Sequence, residues 1–383
     1  MPFLVSTEKH FATNPRKPRF TMITRCFTTH AHARTTRRRA KALPYVVAMV
    51  IAMGCARGNA ADAPVPPPAP ALSASLPPPT TGQVMLTLND IRIRDPFVLP
   101  VAAEQCYYMY ASTGSSCPAG TPLGFVAFRS NDLQHWSEPI RVFTPPADFW
   151  ATRDYWAPEV HAYKDKYYLF ATLKAPNHYR GTQIFVADSP AGPFTAISDR
   201  PATPEHWECL DGTLFVADDG TPFIVFCHEW LQVHNGTICA MPLSADLSRP
   251  AGRPIYLFSA TDAPWGKKHP FPAPGSKRDY PTYVTDGPFL HRSANGRLFM
   301  LWSSFGTDGY AVGIAESSNG HIDGDWRQHP EPLFTKNGGH AMIFRSFQNQ
   351  LYIALHAPNT GPYERALFLP ISEDPDGSLR MVQ

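Results

Sequence analysis

Five times between Val84 and the end of the chain the same short pattern returns, and few folds accommodate such a repeat. A run opens with an acid, Gly or Pro and continues with apolar residues. A polar turn follows, then a Tyr/Phe-rich run, then a third run that ends in a turn and an aromatic. The first unit reads Asp95-Pro96-Phe97-Val98-Leu99, then Cys106 to Tyr110, then Gly124 to Ser130, and closes near Trp136. The other four open at Trp156-Ala157-Pro158-Glu159-Val160, Leu210-Asp211-Gly212-Thr213-Leu214, Thr285-Asp286-Gly287-Pro288-Phe289 and Gly339-His340-Ala341-Met342-Ile343. Runs of Val, Ile, Tyr, Phe and Trp between Gly, Asp, Asn and Pro turns are strand chemistry, and helical periodicity is scarce. The openings lie 50 to 75 residues apart, room for one small sheet each. Such a sheet cannot bury both faces alone, so neighbours stack and the ring closes. The pattern predicts an all-β, five-bladed β-propeller. A β-sandwich would not need an acid, Gly or Pro at the start of every unit.

In a propeller the innermost strand of each blade lines the central channel, so residues at its start converge on one mouth. Here those residues are Asp95, Glu159, Asp211, Asp286 and His340, four acids in a chain only 17% charged. A single Asp-Gly or Asp-Pro is ordinary turn chemistry. Four acids at matching places in repeats need another reason. Carboxylates crowded into one small cavity repel, which raises some pKa values and lets one group keep its proton. Glycoside hydrolysis needs that arrangement: one carboxyl protonates the leaving oxygen and a carboxylate on the other face activates water.

These five segments, in this order, resemble glycoside hydrolase family 43 over about residues 88–370. The resemblance implies a five-bladed propeller that cleaves arabinosyl or xylosyl linkages with inversion. It implies Asp95, in Arg94-Asp95-Pro96-Phe97, as general base. It implies Asp211 as the residue that orients the acid and tunes its pKa, with Gly212 where the family has Pro. The family's general acid is a Glu in a Glu-Gly-Pro motif of the fourth blade, and Asp286 stands there. Asp is one methylene shorter, so its carboxyl sits roughly 1.5 Å further back, and a 1 Å misplacement can cost about a hundredfold in rate. Three readings stand. The backbone compensates and Asp286 is the acid; or Glu229, in Cys227-His228-Glu229-Trp230, reaches in; or catalysis is weak. His340 matches a family His that in some members helps hold an ion, so a structural calcium near His340 is one option, and no cofactor is required. Glu159 belongs to a second-blade motif and would bind a sugar hydroxyl or brace Trp156. Aromatic faces stack on sugar rings, which makes Phe97, Trp156 and Trp302, with Trp150 and Trp230, candidates for substrate contact.

The formal charge of +2 hides an asymmetry. Residues 1–60 hold 11 Lys+Arg against Glu8, which leaves 23 bases against 31 acids, a net of −8, for the rest. Behind the basic stretch runs Ala42 to Met53, apolar, too short to span a membrane as a helix and suited to the core of a signal peptide. Two cleavage readings stand. Ala52-Met53-Gly54-Cys55 resembles a bacterial lipobox, which would put a lipid anchor on Cys55; the small residues around Ala60 and Ala63 suit ordinary signal peptidase. The expected location is outside the cytoplasm, as a periplasmic or outer-membrane lipoprotein or otherwise secreted. Residues 61–84 are Pro-rich and read as an extended tether, leaving 85–383 as one domain. An acidic body without a phosphate loop, dinucleotide fingerprint or basic patch argues against nucleic acid as a partner. Export permits disulfides, with Cys106–Cys117 and two of Cys209, Cys227 and Cys239 as candidate pairs.

The function predicted is an exported glycosidase cleaving α-L-arabinofuranosyl or β-D-xylosyl linkages in plant-type polysaccharides or oligosaccharides, by an inverting two-carboxylate mechanism. The alternatives are a non-catalytic carbohydrate-binding propeller and a related hydrolase acting on galactosyl or other glycosides. Loops such as residues 262–282 would decide between exo and endo action.

Overall fold

A computed structural model describes residues 85–270 and 280–382. The export segment, the Pro-rich tether, Cys55 and the centre of the 262–282 loop lie outside the described residues.

The described chain forms five four-stranded antiparallel sheets, each from four consecutive strands. The first holds β1 (Phe97–Val101), β2 (Cys106–Ser112), β3 (Phe125–Ser130) and β4 (Ile140–Phe143). The second holds β5 (Arg153–Tyr163), β6 (Lys166–Lys174), β7 (Gly181–Ala187) and β8 (Thr195–Ala196). The third holds β9 (Cys209–Val216), β10 (Pro222–His228), β11 (Thr237–Pro242) and β12 (Ile255–Ser259). The fourth holds β13 (Asp286–Arg292), β14 (Leu298–Gly306), β15 (Gly309–Ser317) and β16 (Trp326–Gln328). The fifth holds β17 (Gly339–Arg345), β18 (Leu351–Ala357), β19 (Arg365–Glu373) and β20 (Leu379–Met381). This is the five-bladed propeller expected, and the three runs read in each unit are its three inner strands.

Each blade is sandwiched between neighbours, so its middle strands are covered on both faces. β2 is buried at all seven positions, which is why it reads as a continuous apolar run and not as an alternation. Aromatics fill the seams between blades: Phe143 of the first meets Phe185 of the second with ring centroids 4.6 Å apart. The ring closes through the segment before β1. Leu86 bridges to Trp136 of the first blade and Arg92 to Arg365 of the fifth.

One backbone device recurs in all five blades. At the start of each inner strand sits a residue in the left-handed region: Asp95 (φ 54°), Ala157 (43°), Asp211 (55°), Gly287 (51°) and His340 (54°). In four blades the pairing of the inner strand with its neighbour skips there, between Trp156 and Glu159, Leu210 and Thr213, Asp286 and Phe289, and Gly339 and Met342. A bulge of this kind re-aims a side chain and is common beside active sites. The following residue is Pro in three blades, tolerated because a bulged residue owes the ladder no N–H. Three of the five left-handed residues are Asp or His, among the non-glycine types that adopt this region most readily, and such residues cluster at functional sites.

That register corrects the sequence reading of Glu159. The residues equivalent to Asp95 are Ala157, Asp211, Gly287 and His340. Glu159 lies two positions deeper, level with Phe97, where it is buried and bonds to His161 Nε2 at 3.1 Å. Phe97 is corrected with it: its buried ring packs edge-on against His161 at 5.0 Å, further along the channel than the carboxyls and outside the pocket they line. Trp302 is a third correction. It is 0% exposed, packed against Phe258 at 5.3 Å and Trp265 at 5.0 Å, with its indole N–H on Gln328 Oε1 at 2.9 Å. It is mortar between the third and fourth blades. The disulfide expectation also fails, since all five described cysteines are free thiols.

Candidate active site

The left-handed residues turn Asp95, Asp211 and His340 into one pocket of about 530 Å³, where Asp286 joins them from the residue before Gly287. Residues at the same end of the ring complete the walls: Asp154 and Trp156 at the start of β5, Glu229 and Trp230 after β10, and Tyr310 at the start of β15. The volume is within the usual range for small-ligand sites.

His340 is the hub. Its Nδ1 lies 3.2 Å from Asp95 Oδ1 and 3.6 Å from Asp211 Oδ2. Its own N–H donates to Ser303 Oγ at 2.8 Å, which fixes the bulge. Asp95 Oδ1 also lies 3.1 Å from His356 Nδ1 and 3.7 Å from Arg94 Nε. Asp211 accepts from the Gly287 N–H at 3.0 Å and sits over Thr172 Oγ1, which accepts from the Asp211 N–H at 2.8 Å. Gly287 has no alternative residue: a Cβ there would lie 2.8 Å from the His340 ring. Asp286 Oδ2 accepts from the Tyr310 hydroxyl at 2.8 Å. Tyr310 in turn stacks on His356 with centroids 5.8 Å apart.

These contacts split the carboxyls into two electrostatic kinds. Burial alone would raise Asp95, but the neighbouring His340 and Arg94 charges and the bonds from His340 and His356 outweigh it, so Asp95 is held well below the usual carboxylate range. Asp211 is pushed up to about 7, by burial and by repulsion from Asp286 and Asp95, with His340 opposing. Asp286 is raised as well, by burial, against the Tyr310 hydrogen bond and the Arg94 charge. Glu229 is pushed up to about 7 by burial, against its ion pair with Arg180. His340 would lose its proton through burial, but Asp95 and Asp211 hold it up to about 10. At neutral pH the pocket thus sets a firmly ionised Asp95 against carboxyls that can carry a proton.

His340 Nδ1 lies between the Asp95 and Asp211 carboxyls, and no cluster of three or more His, Cys, Asp or Glu side chains able to hold a metal ion directly occurs among the described residues. No step below runs through a metal.

Of the residues expected from sequence, Asp95, Asp211, Asp286, His340, Glu229 and Trp156 meet in this pocket, and Trp156 stands 42% exposed on its wall. Four participants were missed as site residues. Arg94 stood in the sequence only as part of the Arg94-Asp95-Pro96-Phe97 motif. Asp154, Arg180 and Tyr310 carried no sequence signal, because their partners come from other strands and blades. Arg180 shows this well: it binds Asp154 Oδ2 at 2.9 Å, pairs with Glu229 and covers the Trp156 ring at 4.6 Å.

A five-bladed propeller whose channel mouth sets an ionised carboxylate against protonatable ones belongs to the class of carbohydrate-cleaving propellers. The sequence narrows this further. It matches the model for glycosyl hydrolases family 43 over residues 89–377, and the chain belongs to that family. The solved endo-arabinase of Bacteroides thetaiotaomicron VPI-5482 is 38% identical, with a TM-score of 0.69 over 76% of this chain and 98% of that one. An alpha-L-arabinofuranosidase 43 of Humicola insolens is 25% identical over 191 residues, 48% of this chain and 36% of its own length. An extracellular exo-alpha-(1->5)-L-arabinofuranosidase of Streptomyces chartreusis is 28% identical over 190 residues, 48% of this chain and 53% of its own. The match thus spans about a third to a half of these two relatives.

Proposed function

We propose that the protein hydrolyses α-L-arabinofuranosyl linkages of an arabinan-type polysaccharide, with β-D-xylosyl linkages as the second substrate class, by a single inverting displacement. The observation that carries this is the pairing of Asp95, held ionised, with Asp286, held protonatable, in one pocket. Asp95 takes a proton from a water that attacks the anomeric carbon. Asp286 gives its proton to the departing oxygen, and the Tyr310 hydroxyl, bonded to Oδ2, leaves the proton to Oδ1. Asp211, raised by burial and by the Asp286 charge beside it, shares with Asp286 a proton that the pair gives up reluctantly. Trp156 offers a face to the sugar ring. The arabinosyl preference follows the names of the relatives; the mechanism follows the carboxyls.

The test is to incubate the protein with arabinan and xylan and follow the released sugar by proton NMR. Arabinose should appear first as the anomer opposite to the bound one, before mutarotation. Net retention would overturn the mechanism. Saccharide binding without release from any polysaccharide would establish a non-catalytic propeller instead.

The pH profile is a second expectation. Asp95 must be ionised, and its depressed pKa places that requirement below the ordinary Asp range. The acid must be protonated, and the raised pair Asp286 and Asp211, the latter at about 7, titrates as a unit. The rate constant kcat/KM should therefore hold at acidic pH and fall as pH rises through about 7. A profile still flat at pH 9, or an acid limb near pH 6, would contradict these assignments.

A further inference from the structure

A second cavity, of about 220 Å³, opens on the same face of the ring as the catalytic pocket. Trp150 lines it from the β4–β5 loop, His178, Tyr179 and Arg180 from the β6–β7 loop, and Arg200 and Glu205 from the β8–β9 loop. All three loops lie at the end where β5 and β9 begin, the end that carries Asp211. The wall between the cavities is one side chain. Arg180 lines the second cavity, while its guanidinium binds Asp154 at 2.9 Å, pairs with Glu229 and covers Trp156, and those three face the first.

The lining has the chemistry of sugar recognition. Two aromatics, Trp150 and Tyr179, line the cavity. Trp150 is fixed by its indole N–H on Gln183 Oε1 at 3.0 Å and by the His178 ring at 5.9 Å. Tyr179 is 45% exposed, a large side chain that folding leaves uncovered. Arg200 pairs with Glu205 at 3.4 Å, Arg180 is spent on Asp154 and Glu229, and Asp199 adds a carboxylate to the lining. Both lining guanidiniums are thus already paired, and carboxylate oxygens accept from sugar hydroxyls, which both donate and accept. The floor is preformed, since a Cβ on Gly181 would lie 2.6 Å from Pro201 and 2.8 Å from Thr203 Oγ1.

We infer that this cavity is a further saccharide subsite, holding a neutral glycosyl residue of the same chain whose scissile linkage lies beyond Arg180. The inference rests on the glycosidase reading of the first pocket. Its consequence is length dependence: a chain that reaches both cavities binds more tightly than a sugar that fills only the first.

The test is calorimetric titration of the full chain carrying Asp95→Asn, with arabino-oligosaccharides from one to eight units, alone and combined with Tyr179→Ala or Trp150→Ala. Tyr179 is exposed and makes no core contact, so its variant remains interpretable even if Trp150→Ala unfolds. Each loss of an aromatic face should weaken the longest oligomer about fivefold and leave the shortest within about twofold. Equal weakening at every length would mean that the residues act on the first pocket through Arg180, and the subsite is wrong. Unchanged binding of all lengths overturns the subsite alone. If the parent protein binds no arabino-oligosaccharide or xylo-oligosaccharide, the glycosidase reading falls and the subsite with it.

Discussion

Asp95→Asn should lower turnover of arabinan by about 10³- to 10⁴-fold, the upper part of what a positioned general base contributes. The argument is stoichiometric as well as electrostatic. In a single displacement the attacking water must lose a proton as the bond forms, and Asp95 is the one acid in the pocket driven toward its charged form, with His340 and Arg94 beside it. An amide of the same shape accepts a hydrogen bond but takes no proton. Substrate affinity should change little, because the substitution keeps volume and polarity. The neighbours feel it in a defined direction: His340 keeps Asp211, 3.6 Å away, as its near counter-ion, so Asp211 is pulled toward ionisation. Thermal unfolding recorded alongside tells loss of chemistry from loss of fold. Activity above about a tenth of the parent, with the fold intact, would remove Asp95 from the base role.

The blades were legible in the sequence because strands covered on both faces must be continuously apolar, as β2 is. The fourth strands were not, because an outer strand such as Thr195–Ala196 is two exposed residues long and has no apolar run to show. The channel mouth was half legible. Aligning units by their acids found Asp95, Asp211 and Asp286 but put Glu159 among them. The backbone repeats by its left-handed residue, whose equivalents are Ala157 and Gly287 in the blades where the acid is displaced. Those two residues carry no charge, so the device was invisible to a search for charge. Trp302 and Phe97 failed for another reason. An aromatic that seals a seam and one that stacks on sugar share the same composition and local pattern, and only burial separates them. Arg180 and Tyr310 lay beyond any local reading: the Arg180–Glu229 pair spans 49 positions and joins the second blade to the third.

The assignment of the acid carries the second large expectation. Asp286→Asn should cost about 10²- to 10⁴-fold on arabinan, whose departing sugar hydroxyl must be protonated, yet less than about tenfold on a dinitrophenyl arabinofuranoside, whose phenolate leaves without help. Glu229→Gln should not show that contrast. Both groups have raised pKa values, so protonation alone does not separate them. Their partners do. Glu229 is bound to the Arg180 guanidinium, and each proton it took up would cost that buried cation one of its two carboxylates. Asp286 has a neutral hydroxyl, Tyr310, as its bonded partner, and this interaction survives in either protonation state because the hydroxyl donates to Oδ2 whether or not Oδ1 carries the proton. A group that must lose and regain a proton every turnover is better served by that neighbour than by an ion pair. If the leaving-group contrast appears in Glu229→Gln and not in Asp286→Asn, the roles are reversed, and Arg180 becomes the residue that must move aside for each proton transfer.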